Sequence, residues 1–137
     1  MQAVLDRVKL RGITPIVPVR SVHRSVGFYT QVLDFALAER NREGTYAYVT
    51  RGETGLMLLD LADGKAVKAT AEYLSAYVWV DGIVALHEAL RPRLASLGAA
   101  RYRPLFEKPD GRQEFHVRDP DGLLLFFGAA LEGASGR

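Results

Sequence analysis

The predicted strands and helices of this chain follow the same order twice, and this repetition limits its fold more than any other feature. In the first half, an apolar β-branched segment at 13–19 precedes a helical stripe at about 22–33. In the second half, a strand at 73–80 precedes a helical stripe at about 83–97, which a glycine follows. Three further strands follow each helix, predicted at about 36–40, 45–50, 56–61, 102–106, 113–118 and 123–127. The chain is therefore predicted to be βαβββ followed by βαβββ.

This order predicts an α+β fold in which two βαβββ modules form curved mixed sheets. Each sheet is expected to carry a helix on its outer face and a cleft on its inner face. The 137 residues suit a single domain. We predict its modules at about 12–62 and 73–128, a linker of small and polar residues at 63–72, and a disordered tail at 132–137.

Prolines constrain two of the predicted elements. Pro15 and Pro18 each remove a backbone donor from the first strand, so this strand is expected either at a sheet edge or with irregular pairing. Pro92 lies inside the second helical stripe and is predicted to kink the helix, or to split it, near Leu90.

A hairpin is predicted near the end of the chain, where two strands flank the sequence DPDG at 119–122. The proline presets φ at the second turn position, and the glycine tolerates a positive φ. If the hairpin is regular, Phe115 pairs with Phe126 and shares its face, and His116 lies on the opposite, helix-packed face. A bulge would reverse these faces.

The composition excludes several classes of protein. The chain has no cysteine, so disulfides, thiolate metal sites and a cysteine nucleophile are excluded. Its formal net charge of +2 comes from scattered basic residues, which gives no argument for nucleic-acid binding. No segment has the length of a membrane span or the apolar core of a signal peptide. A cytoplasmic protein with no membrane partner is expected.

Four segments, taken in their order and spacing, resemble the vicinal-oxygen-chelate superfamily, the glyoxalase/bleomycin-resistance/dioxygenase group. They are PVRS at 18–21 leading into VGFYTQVLDF at 26–35, YVWVD at 77–81, KPDGRQ at 108–113, and the hairpin itself. The pattern is closest to the bleomycin-resistance-like members. The resemblance implies paired βαβββ modules with a cleft in each sheet, and commonly a homodimer with clefts built across the interface. The same fold carries lyases, dioxygenases and non-catalytic drug-binding proteins, so it does not fix the function.

Enzymes of this superfamily hold one divalent metal through His and Glu side chains on four strands, which suits chelation of two substrate oxygens. Counting from the motifs places three of these positions at Thr14, Ser75 and Phe126, none of which is a usual metal ligand. The fourth position falls near one of Met57, Leu58 and Asp60. These departures from the family pattern predict no metal site and no cofactor, one divalent metal being the alternative.

Side-chain alternation along the predicted strands gives the cleft an aromatic lining instead. The predicted ligand-binding residues are Thr14, Tyr46, Tyr48, Ser75, Tyr77, Trp79, Phe115 and Phe126. Such a lining suits a flat aromatic small molecule that is held by stacking and by buried area. For Phe115 and Phe126, packing within the core is an equally good interpretation.

These features favour a metal-independent small-molecule-binding protein, a dimer of the bleomycin-resistance type that sequesters its ligand. Bleomycin itself is not expected, because this positively charged drug suits acidic proteins, whereas the sequence pI here is about 9.0. The turn at 108–113 also lacks the tryptophan of the family pattern, having Asp110 there. A neutral or anionic aromatic ligand is more consistent with this charge.

An enzyme is the alternative, namely a metal-dependent glyoxalase-like lyase or a ring-cleaving dioxygenase. Its best remnant would be a metal site that combines Asp60 with His116. No catalytic residue is predicted, because no nucleophile lies beside a base, and Glu107 and Glu114 are better explained as turn or salt-bridge residues. A structural or regulatory dimer without a ligand is a third possibility.

Overall fold

The computed structural model describes residues 1–61 and 63–129, which form two four-stranded sheets and four α-helices. The first module contains β1 (Ile16–Val19), α2 (Val22–Gln31), β2 (Ala36–Arg40), β3 (Tyr46–Arg51) and β4 (Thr54–Asp60). The second module contains β5 (Ser75–Trp79), α4 (Ile83–Leu94), a 3₁₀ turn (Ala95–Leu97), β6 (Tyr102–Glu107), β7 (Gln113–Arg118) and β8 (Leu124–Gly128). A short helix α1 (Gln2–Asp6) precedes them, and α3 (Gly64–Tyr73) joins them. The predicted α+β fold of two βαβββ modules is thus confirmed.

The two sheets have equivalent topologies. The strand order is β1-β4-β3-β2 in the first sheet and β5-β8-β7-β6 in the second. In each sheet, the first strand of the module pairs in parallel with its last strand, and the other pairs are antiparallel. Strand β1 lies at an edge of its sheet, as Pro15 and Pro18 predicted. Prolines are tolerated there, because an edge strand has no partner on its outer side that would need the missing N–H donors.

One face of each sheet is buried beneath a helix. Helix α2 packs on β2, β3 and β4, and helix α4 packs on β6 and β7. Alternate strand residues point towards these helices, so Val17, Val49 and Leu58 of the first sheet and Val117 and Leu125 of the second are almost fully buried. They belong to one continuous apolar core that spans both modules. The opposite face of each sheet is left open.

The connector at 63–72 contains a helix that the sequence did not predict. Asp63 caps α3, because its side chain accepts hydrogen bonds from the backbone N–H groups of Lys65 and Ala66. Only Val67 of this helix is buried, and its partly buried neighbours Ala66, Thr70 and Ala71 are small, so the segment lacks the large apolar residues that mark a helix stripe. The tail predicted to be disordered lies outside the described residues.

Pro92 does not split the second helix, so this alternative of the prediction was wrong. Helix α4 continues past Pro92 to Leu94 before it tightens into the 3₁₀ turn. Pro92 and its neighbours Arg91 and Arg93 are exposed and lie in the last turn. The carbonyl that loses its hydrogen-bond donor at Pro92 therefore lies on the solvent side, where water can hydrate it.

The register of the last hairpin also differs from the regular pairing considered above. The backbone N–H of Asp119 donates to the carbonyl of Leu123, and that of Gly122 donates to the carbonyl of Asp119. Gly122 has a φ of +95°, so the loop has three residues and closes on a left-handed glycine. Phe115 consequently pairs with Phe127, and His116 pairs with Phe126. One additional loop residue therefore exchanges the two faces of β7.

Candidate ligand-binding site

A row of aromatic rings crosses the open face of the second sheet from one edge to the other. Its members are Trp79 and Tyr77 on β5, Phe126 on β8, His116 on β7 and Phe106 on β6. Neighbouring ring centroids in this order lie 4.5, 6.0, 4.5 and 5.1 Å apart. We call these five residues the aromatic row. Because β5 contributes two rings and each of the other three strands contributes one, the row extends across the full width of the sheet.

A guanidinium group lies at each end of the aromatic row. The guanidinium carbon of Arg103 is 3.5 Å from the centroid of the Phe106 ring, and that of Arg112 is 5.9 Å from the Trp79 ring. Such cation–π contacts place positive charge beside the rings without covering the middle of the row. Trp79 itself is 63% exposed, which is unusual for so large an apolar side chain on a sheet.

A buried carboxylate lies beside the row. Glu114 is only 2% exposed, and it accepts hydrogen bonds from the Tyr77 hydroxyl at 2.7 Å and from His116 Nε2 at 2.9 Å. The Lys108 ammonium forms an ion pair with it at 3.3 Å. One carboxylate thus holds two members of the aromatic row in place. In return, these hydrogen bonds and the ion pair satisfy the buried charge of Glu114, which would otherwise be costly.

The pKa values of this group follow from its contacts. Burial raises the pKa of Tyr77 to about 12, and its hydrogen bond to Glu114 adds to the effect. Burial alone would raise the pKa of the Glu114 carboxyl, but hydrogen bonds from His116, Tyr77 and Lys108 outweigh it and the pKa is lowered. Tyr77 is therefore a neutral donor and Glu114 an ionised acceptor at neutral pH.

The glycine at the end of β8 allows this arrangement. Gly128 lies between Trp79 on β5 and Glu114 on β7 in the strand register, so the Tyr77 side chain must cross it to reach Glu114. A Cβ atom at position 128 would overlap the Tyr77 hydroxyl and lie 2.7 Å from Tyr77 Cζ. Only glycine leaves room for the hydrogen bond between Tyr77 and Glu114.

The structure brings together half of the residues that the sequence predicted for the cleft. Tyr77, Trp79 and Phe126 are members of the aromatic row, and Ser75 begins β5 on the same face. Phe115 was placed wrongly: it is fully buried on the helix-packed face, where its ring stacks on Phe127 at 4.8 Å. The three-residue hairpin loop is the reason, because it shifts the pairing by one residue.

The remaining predicted residues lie on or beside the first sheet. Tyr46 and Tyr48 share its open face, on which Tyr48 is paired with Met57. Thr14 precedes β1 by two residues and is half-buried. One chain therefore carries two open faces on two separate sheets, and the predicted single lining divides between them.

Two cavities adjoin the aromatic row. A groove of about 870 Å³ runs between the modules at the β5 edge and is lined by Tyr77 and Trp79 together with Phe35 and Leu86. A smaller cavity of about 180 Å³ lies near the β6 side of the sheet. We call it the arginine cavity, because its lining includes Arg101, Arg103 and Arg118 in addition to His116 and Leu124.

Sequence reasoning missed four residues of this site, namely Phe106, Glu114, His116 and Gly128. The signal that could have found two of them, Glu114 and His116, is the PDG sequence, which occurs after Lys108 and again after Asp119. Both copies form the same three-residue loop, with a positive φ at Gly111 and at Gly122. Counting three loop residues at 120–122 would have placed Glu114 and His116 on the open face.

The residues at the superfamily's metal positions do not fit a divalent metal. The Phe126 ring fills one position and stacks on Tyr77, and Ser75 and Thr14 offer at most weak hydroxyl ligands. Asp60 and His116, the best alternative pair, lie on different sheets. Within residues 1–61 and 63–129, no three His, Asp or Glu side chains are grouped closely enough to hold a metal ion.

Comparison with known proteins identifies the family. The model of the Glyoxalase/Bleomycin resistance protein/Dioxygenase superfamily matches residues 9–127, which is most of the chain. The protein therefore belongs to this superfamily, as the sequence resemblance predicted. A comparison with functionally curated proteins found no significant match.

Solved structures share the fold over nearly the whole chain. The bleomycin-binding protein of Streptomyces verticillus, solved with copper(II)-bleomycin, is 27% identical with a TM-score of 0.72, over 90% of this chain and 99% of that one. A glyoxylase/bleomycin resistance protein/dioxygenase domain from Frankia sp. EAN1pec is 24% identical (TM-score 0.69; 90% and 100% covered). Lactoylglutathione lyase from Agrobacterium tumefaciens is 17% identical (TM-score 0.64; 89% and 96% covered).

The similar structures thus include a drug-binding protein and a lyase, so the fold leaves the function open.

In the described part of the chain, the helices are all too short or too polar to span a membrane.

Proposed function

We propose that this protein binds a flat aromatic small molecule on the aromatic row, without a metal ion and without transforming the ligand. The observation that carries the proposal is the row itself: five rings cross an open sheet face, and the largest of them, Trp79, is 63% exposed. Exposed aromatic surface of this extent is typical of binding sites, whereas aromatic rings in a hydrophobic core are buried.

The polar contacts beside the row support binding. Glu114 fixes the orientation of Tyr77 and His116, so two rings of the row are preorganised before a ligand arrives. Preorganised rings lose little conformational freedom when a ligand stacks on them, which favours affinity. The similarity to the bleomycin-binding protein of Streptomyces verticillus supports the same type of function, but not the same ligand.

We further propose that the protein acts as a homodimer. Each chain leaves apolar side chains on both open faces, including Ile16 on the first sheet at 61% exposure and Trp79 on the second. A ligand on one flat face would be covered on one side only. A second copy whose open face closes over the row would enclose it and bury these side chains.

Native mass spectrometry tests the dimer and the absence of metal together. The expected species has twice the chain mass of 15.1 kDa and carries no bound metal after growth in metal-supplemented medium. A monomer at micromolar concentration would contradict the dimer. One tightly bound divalent ion per chain would contradict the metal-independent function and would favour a lyase or a dioxygenase.

Trp79 provides a direct readout of ligand binding, because it is the single tryptophan of the sequence. We expect flat aromatic compounds, such as naphthamide and naphthoate, to change its fluorescence with saturation. Phe126→Leu should weaken binding about tenfold, because it removes the central ring of the row and its stacking contribution. Fluorescence titration measures the affinity of each variant.

The matched control for this experiment is Tyr73→Leu. Tyr73 is an 87% exposed aromatic residue at the end of α3 and lies outside the aromatic row. Its replacement should leave the affinity within about twofold of the original, as for surface substitutions away from a site. Equal losses in both variants would argue against binding on the row, and no fluorescence change with any flat compound would refute the proposed function.

A further inference from the structure

We propose that the arginine cavity is an oxyanion subsite, so that the ligand is an aromatic acid whose carboxylate or phosphate enters this cavity while its ring lies on the aromatic row. This inference rests on the proposed function, which it makes more specific. Four kinds of observation carry it: the charge of the cavity, the free donors of its arginines, its size, and its position.

The charge of the cavity is uniformly positive. Arg101, Arg103 and Arg118 contribute to its lining, and no described Asp or Glu side chain does so. Among residues 1–61 and 63–129, none of these three arginines forms an ion pair with a carboxylate. Three uncompensated guanidinium groups around one small concavity produce a local positive potential that an anion would neutralise.

Contacts with the protein hold the three arginines in place, yet some of their guanidinium N–H groups remain available to a ligand. Arg118 Nη1 donates to the carbonyl of Gly122 at 3.0 Å, and Arg101 donates through Nε and Nη2 to the carbonyl of Arg118. These bonds use only part of the five N–H groups of each guanidinium. The guanidinium carbon of Arg103 lies 3.5 Å from the centroid of the Phe106 ring, a cation–π contact that does not need an N–H donor. Planar donors of this kind match the paired oxygens of a carboxylate or phosphate.

The size of the cavity selects a head group rather than a whole ligand. Pockets that hold complete small molecules measure roughly 300 Å³ or more. The arginine cavity has about 180 Å³, whereas the groove at the opposite side of the sheet has about 870 Å³. An oxyanion of a few atoms fits the smaller volume, because a cavity needs only about 10–15 Å³ to hold one water molecule.

The position of the cavity joins it to the aromatic row. His116 belongs both to the row and to the cavity lining, and Arg103 is its direct neighbour across the β6–β7 pair. A ring that contacts Phe126 and His116 would therefore carry a substituent at its edge into reach of Arg103. The opposite orientation would lead to the groove at Trp79, whose lining contains Asp81 and Glu53 beside Arg51 and therefore has no excess of positive charge.

A matched pair of ligands tests the subsite. Naphthoate and naphthamide have nearly the same shape and differ in charge, and Trp79 fluorescence measures the affinity of both. We expect the unaltered protein to prefer naphthoate at least tenfold, since charge-assisted bidentate hydrogen bonds are about twice as strong as neutral ones. Arg103→Gln and Arg118→Gln should each reduce this preference severalfold and leave the affinity for naphthamide almost unchanged.

The control variant is Arg42→Gln, which removes an exposed arginine from the β2–β3 turn of the other module. It has the same effect on net charge and should retain the preference for naphthoate.

Equal affinities for the two ligands in the unaltered protein, or a preference that neither cavity variant reduces, would overturn the oxyanion subsite while the proposed function stands. Binding of neither compound would overturn both. Competition by inorganic phosphate with naphthoate, but not with naphthamide, would support the subsite and show that it also accepts a free oxyanion.

Discussion

Replacing Asp119 by alanine is expected to lower the free energy of unfolding by about 3 kcal/mol. Asp119 is 1% exposed and joins the two modules, because its Oδ2 accepts a hydrogen bond from the hydroxyl of Tyr29 on α2 at 2.9 Å. Its Oδ1 accepts from the backbone N–H groups of Asp121 and Leu123 at 2.9 and 3.0 Å. Alanine would leave the fully buried Tyr29 hydroxyl and the hairpin loop without these acceptors. Urea unfolding, followed by circular dichroism, measures the loss.

Two further substitutions separate the parts of this network. Burial raises the pKa of Asp119, although Tyr29 and the backbone donors act against it, so a neutral amide of the same shape is tolerated better than alanine. Asp119→Asn should therefore cost about 1 kcal/mol, and Tyr29→Phe about 1–2 kcal/mol, because it leaves one carboxylate oxygen unpaired. If Asp119→Ala costs less than about 1 kcal/mol, water or a rearranged loop replaces the lost contacts and the network does not hold the modules together.

Replacing Gly128 by alanine is expected to cost about 2 kcal/mol of stability and to weaken ligand binding. The new methyl group would overlap the Tyr77 hydroxyl, so the ring must leave its hydrogen bond to Glu114. Glu114 would then keep only His116 and Lys108 as partners in a buried position. The displaced ring would also interrupt the aromatic row between Trp79 and Phe126.

A double-mutant cycle tests this steric cause. In a Tyr77→Ala background the space is empty, so Gly128→Ala should have almost no effect, and the coupling energy between the two sites should approach 2 kcal/mol. Gly27→Ala is the matched control, because a Cβ at Gly27 meets no atom within 4 Å and alanine favours helix α2. A Gly128→Ala cost that persists without Tyr77 would contradict the proposed role of this glycine.

The elements of the fold were predictable because their signals are local. Strand β7 was predicted with its exact bounds, and helix α2 was predicted to within two residues, since apolar periodicity and the Ser21 cap mark it. Helix α3 was missed because only Val67 faces the core. The effect of Pro92 on the helix was overestimated, because a proline in the last turn of an exposed helix end removes only one backbone hydrogen bond.

The candidate site was predictable only in part. Tyr77 and Trp79 were placed correctly on one open face, because strand alternation needs no information from other strands. Phe115 and His116 were assigned to the wrong faces, because their faces depend on whether the hairpin loop has two or three residues. The sequence DPDG is compatible with both loop lengths, and one residue is enough to invert a strand.

The sequence alone determined the two βαβββ modules and the superfamily, since these depend on residue types and on spacing along the chain. The tertiary structure alone decided that Glu114 and His116 belong to the open face, that Gly128 lets Tyr77 reach Glu114, and that three arginines line one cavity. These features depend on side chains that different strands and loops bring together. Their geometry depends on strand register, which backbone hydrogen bonds and loop length set across the sheet rather than along the sequence.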